Sequence, residues 1–148
     1  MILNEEQLGV ILQASIERAK ELLAQSGGFL PFGARALPNG EVEFLEAAGS
    51  SGQEPIDALY RRIAALLAGA ARRHEILASA LVANAGLPGG FDNDFDKAIS
   101  VLVEAPDFCR SVVVPYRAAA EGVILGKMIP EEAEPAVFAE ELGVESCR

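Results

Sequence analysis

A chain of 148 residues, 51% of them hydrophobic, is long enough for one domain whose core needs neither disulfide nor metal, and too apolar to be disordered. Its formal net charge of −10 repels phosphate backbones and anionic bilayers, so neither nucleic acid nor membrane is an expected partner. Tryptophan is absent and tyrosine occurs twice, which argues against a stacking platform for bases or sugars.

The start, Met1-Ile2-Leu3-Asn4-Glu5-Glu6, has no basic stretch of the kind a signal peptide carries. The longest apolar run in a helical context, Ile63–Ala71, is bracketed by Arg61-Arg62 and Arg72-Arg73 and is too short to span a bilayer. Cys109 and Cys147 make no disulfide framework and read as free thiols. The expectation is a cytoplasmic protein forming a single domain over 1–148, with 119–148 as an acidic tail.

Residues 4–26 read as an amphipathic helix. Leu8, Ile11, Leu12, Ile16, Ala19, Leu22 and Leu23 recur at helical spacing, Asn4 can cap the start, and Ser26-Gly27-Gly28 stops it. A β-hairpin follows. Phe32–Leu37 and Val42–Ala47 are its arms, and Asn39-Gly40 supplies the turn because both residues tolerate positive φ. Gly49-Ser50-Ser51-Gly52 is a loop.

A second helix runs from about Pro55 to about His74, with Ile56, Leu59, Tyr60, Ile63, Leu66, Leu67 and Ala70 as its apolar stripe. Ile76–Ala85 is nearly all apolar and reads as a central strand. After the Gly-rich acidic loop 86–96 come two more strands, Ala98–Glu104 and Ser111–Arg117. Pro115 marks the end of the latter at an edge. Val123-Ile124-Leu125 can add a short strand, and Pro135 can start a short helix. The expected fold is α+β, in the order α-β-β-α-β-β-β. It has one antiparallel sheet of about five strands with two main helices on one face. The other face would then be apolar and need a partner, most simply a second copy of the chain.

No pattern of chemistry is complete. Asp92, Asp94 and Asp96 match the first three ligand positions of an EF-hand loop. The match stops at Lys97, where glycine is required, and at Val103, where a bidentate Glu is required. His74, the single histidine, follows two arginines at a helix end, and no partner spacing suggests a triad or a metal cluster. Cys109 beside Arg110 has no local base. The Gly pairs lack the spacing of a phosphate loop or dinucleotide fingerprint, so no cofactor is expected. Arg61 aligns with Arg72 and Arg62 with Arg73, since residues 11 apart lie near one helix face; such a basic patch could meet an acidic partner.

The run Phe29-Leu30-Pro31-Phe32-Gly33-Ala34 followed by Asn39-Gly40-Glu41-Val42 resembles the opening of small bacterial α+β proteins, some encoded near toxin–immunity or secretion genes. The resemblance implies a fold and no activity. By size, charge and α+β make-up the chain is also similar to type III secretion chaperones.

The reading that follows is a protein-binding or structural module, homodimeric and without catalysis. A small-molecule binder with a pocket between sheet and helices comes second, and a chaperone-like protein or small enzyme third. Phe29, Phe32 and Arg35 from the hairpin, with Arg61 and Arg72 from the second helix, are the expected contact residues.

Overall fold

The structure, a computed structural model, describes residues 5–46, 55–86, 95, 97–106, 108–120, 122–133 and 136–138. Among these, the elements in chain order are α1 (Glu5–Ser26), β1 (Phe32–Ala36), β2 (Val42–Leu45), α2 (Ile56–Arg72), β3 (Ala78–Gly86), β4 (Lys97–Ala105), β5 (Phe108–Ala119), β6 (Gly122–Leu125) and β7 (Ile129–Glu131). The fold is α+β. All pairings are antiparallel, in the order β2-β1-β3-β4-β5-β6, and β7 adds to β5 on the same outer edge as β6. β6 is the short strand expected at Val123–Leu125 and β7 is a further one; the five main strands become seven because β5 runs for 12 residues and offers both a partner. Its Tyr116–Ala119 end pairs with β6 and its Ser111–Val113 stretch with β7. Part of the expected tail is thereby sheet.

The hairpin forms as its turn chemistry dictates. Gly40 N–H donates to Leu37 C=O at 2.9 Å, so Pro38 and Asn39 are the central turn residues. Gly40 alone takes positive φ, at 92°. Asn39 instead accepts Glu41 N–H through Oδ1 at 2.9 Å. Proline pre-sets the φ of the first central position, and glycine takes the left-handed step after it.

The helices lie on opposite faces of the sheet, which corrects the expectation of one face. Alternation along the strands decides this. Phe32, Ala34, Ala78, Ala80, Val82, Ile99, Val101, Val103, Ala105, Val112, Val114 and Tyr116 point to one side, where Ile11, Ile16, Ala19 and Leu23 of α1 cover them. Leu81, Leu102 and Cys109 point to the other, against Leu59, Ile63, Leu67, Ala70 and Ala71 of α2. Val137 and Phe138 join that second cluster. The bare apolar face that motivated a second copy is therefore covered where α2 and residues 137–138 sit. Residues 136–138, expected in a short helix, are a bend instead.

Pro115 does not end its strand. Its carbonyl accepts Gly126 N–H at 2.7 Å, so its nitrogen faces the same outer side, in the gap between β6 and β7. No ladder donor is required there, and the strand runs on to Ala119. At the other side of the sheet, α2 rides directly over Gly33. A Cβ added at Gly33 would lie 2.8 Å from Ile63 Cγ2 and 3.1 Å from Leu67 Cδ1. Gly33→Ala is therefore expected to destabilise the domain by about 1–3 kcal/mol through overpacking, and Gly33→Val by more, as read from urea unfolding midpoints.

Candidate functional site

Among the described residues, two of the regions where polar and apolar side chains meet bear on function. The first is an open cleft of about 770 Å³ at the C-terminal end of α1. Leu22 and Ser26 of α1, the 28–32 segment, Glu46 and Asn84 line it. Gly27, at φ 78°, ends α1 and turns the chain so that Phe29 and Phe32 meet edge to face, 5.7 Å apart. Phe44 of β2 extends the aromatic row, 6.1 Å from Phe32. Leu30 stays 43% exposed at the rim. The polar groups of the cleft are engaged already. Glu46 binds Arg18 with both carboxylate oxygens, at 3.0 and 3.2 Å, which ties β2 to α1 and raises the Arg18 pKa. Asn84 Oδ1 accepts the Tyr116 hydroxyl at 2.6 Å. The Ser26 hydroxyl reaches the carbonyls of Leu22 and Gly28.

The second region lies on the α2 face and was not anticipated. Register places Arg35, Ser79, Glu104 and Cys109 in one row across β1, β3, β4 and β5. Glu104 is 0% exposed. Its carboxylate accepts the main-chain N–H groups of Ala136, Val137 and Phe138 at 3.0–3.1 Å. These residues form a strap across β4 and β5. Burying a carboxylate costs several kcal/mol in practice. Three charge-assisted N–H bonds, worth about 1.5–3 kcal/mol each, offset that cost. Ser79, also 0% exposed, has no hydrogen-bond partner for its Oγ among the described residues. Tyr60 of α2 stands near enough for Glu104 to act on it. Burial raises the Tyr60 pKa first, and the Glu104 charge raises it further.

The expected contact residues divide between faces. Phe29 and Phe32 line the cleft. Arg35 is held by Glu43 on β2, at 2.7 and 2.9 Å. Arg61 and Arg72 are exposed on α2, with the sheet between them and the cleft. Asp92, Asp94 and Asp96 lie outside the described residues, among which no group of three potential ligands could hold a metal ion. His74 is exposed and takes φ 58°, and its N–H donates to Ala71 C=O at 3.0 Å, which closes the end of α2. Cys109 corrects the free-thiol reading: it is disulfide-bonded and 3% exposed. The chain's other cysteine, Cys147, lies outside the described residues. The Cys109 sulfur sits 3.7 Å from Ala133 C=O, a contact without a proton to share. The bond removes the argument for a reducing compartment that the cysteines supplied.

Among the described residues no helix is long and apolar enough to cross a membrane. No family model, curated protein or solved structure matches the chain.

Two outcomes follow from the buried row. Ser79→Ala removes a buried hydroxyl that has no partner, so it is expected to leave stability unchanged or raise it by up to about 1 kcal/mol; a clear loss in chemical denaturation would show a bond at Oγ. For Tyr60, whose folded pKa is raised, the unfolded chain ionises first as pH climbs past about 10. Stability is complete below that pH and declines until the folded phenol ionises. The wild type is expected to lose more stability than Tyr60→Phe between pH 9 and pH 11, measured by urea midpoints at both.

Proposed function

We propose that this chain is a non-catalytic protein-binding module whose contact surface is the cleft between the end of α1 and the hairpin. The carrying observation is the exposed Leu30 at the rim of an open cleft lined by Phe29 and Phe32, with the exposed Phe44 of β2 set edge to face against Phe32 beside it. An open cleft suits an apolar side chain presented by a larger partner. Among the described residues, the lining polar side chains Ser26, Glu46 and Asn84 are engaged in bonds that hold the fold. Among the described residues β2 is an outer strand with β1 as its one partner, so an extended segment can pair with its other side while its anchor enters beside Phe29. A net charge of −10 favours a basic partner.

The test is selection of peptides from a random displayed library on the immobilised chain. Enriched sequences are expected to carry an apolar or aromatic anchor with Lys or Arg nearby. Leu30→Glu, at an exposed position, is expected to weaken them at least about tenfold, which is 1.4 kcal/mol. Arg61→Ala and Arg72→Ala, on the other face, are expected to change nothing. Enriched peptides that bind Leu30→Glu as well as wild type would overturn the reading. No enrichment, combined with small aromatic compounds shifting the amide resonances of Phe29 and Leu30, would replace it with a small-molecule site.

A further inference from the structure

A smaller cavity, of about 300 Å³, lies between the N-terminal half of α1 and the sheet. Leu8 and Leu12 of α1, Val103 of β4, and Phe108 and Val112 of β5 form its apolar walls. Leu8, Leu12 and Phe108 are only half-buried. About 15 Å of helix separates Leu12 from Leu22 of the cleft, so the two sites stand apart. Two features of the lining are unexplained by packing among the described residues. Gly9 faces the cavity from inside α1, where glycine is less stable than alanine. A Cβ there would meet nothing within 4 Å, so close packing does not require the glycine; its effect is to leave the cavity open. Arg110 is the other. Alternation along β5 puts it on the α1 face, between Phe108 and Val112 and opposite Val103. It is half-buried, and among the described residues no carboxylate pairs with its guanidinium.

We propose that this cavity binds a medium-chain fatty acid, with the acyl chain against Leu8, Leu12, Val103 and Phe108 and the carboxylate on Arg110. Each part of the lining selects one part of such a molecule. The half-buried apolar side chains gain by covering their remaining surface with methylenes. A guanidinium carries paired N–H donors whose spacing matches the two oxygens of a carboxylate. Apolar surroundings strengthen that pair relative to water. One cation at the side of one apolar slot fits one anionic head on one chain. A bilayer surface presents many anionic heads, and a net charge of −10 repels it. The volume lies at the small end of ligand sites, which suits a chain of medium length. This site does not rest on the reading of the cleft as a protein-binding surface.

The test titrates the intact chain with decanoate, kept below its micelle concentration, and follows methyl and amide resonances. One-to-one binding is expected, with the largest shifts at Leu8, Leu12, Val103 and Val112. Gly9→Leu fills the cavity from the helix side. It is expected to weaken decanoate at least about tenfold, with a urea midpoint at or above that of the wild type. Arg110→Gln removes the charge and keeps most of the side chain, so it tests the head-group contact whatever Gly9→Leu does to the fold. It is expected to weaken decanoate at least about tenfold and to leave decanol, the same chain without the charge, unchanged. An absence of shifts with decanoate, or shifts confined to the cleft around Leu30, would overturn the proposal. Decanoate binding that survives Arg110→Gln, or decanol bound by the wild type as tightly as decanoate, would also sink it.

Discussion

Burial of β3 and β4 on both faces is the constraint from which the rest of the architecture follows. A strand whose two faces are both apolar must be covered twice. β4 offers Ile99, Val101 and Val103 to one side and Leu102 to the other, and β3 offers Ala80 and Val82 against Leu81. One helix cannot serve both sides, so α1 and α2 divide them. The covering helices come close because the sheet is built from small residues under them. Ala34, Ala78, Ala80 and Ala105 leave room for Ile11, Ile16 and Leu23, and Gly33 leaves room for Ile63 and Leu67. Among the described residues the chain gains a core on each face.

The local elements were legible because local chemistry sets them. Pro38, Asn39 and Gly40 specify the hairpin, the 3.6-residue periodicity specifies both helices, and the nearly continuous apolar run Ile76–Ala85 specifies a central strand. What the residues did not reveal was which helix covers which face. Period-2 alternation shows that a strand is buried, and the near-continuous apolarity of Ile76–Ala85 pointed to burial on both sides, but neither names the covering element. β7 escaped notice for a different reason. Ile129-Pro130-Glu131 has no strand pattern of its own, and its pairing is supplied by the length of β5.

The site was legible in part. The density of Phe29, Leu30 and Phe32 marked the cleft. Arg61 and Arg72 align along one helix, but that alignment carries no information about the sheet lying between them and the hairpin. Glu104 was hidden because it reads as an ordinary charge at a strand end. The signal was its flanking by Val103 and Ala105 within an apolar strand. Even so, the donors that make its burial tolerable come 32 to 34 residues later, from amides that carry no sequence signature. Main-chain recognition of a side chain is invisible to residue identity, which is why the strap could be found only in three dimensions.

The cleft and the strap groove share β3, which contributes Asn84 to one and Ser79 to the other. Communication between two surfaces requires an element with two discrete arrangements that both can bias. β3 is a poor one. It is paired on both sides, from Phe32 to Ala36 with β1 and along nearly its whole length with β4, and a shift by one residue would turn its apolar side chains to the wrong faces. The register that lets α1 and α2 pack also fixes β3 as a rigid partition. A change on one face is therefore governed by the chemistry of that face and is not passed through β3 to the other.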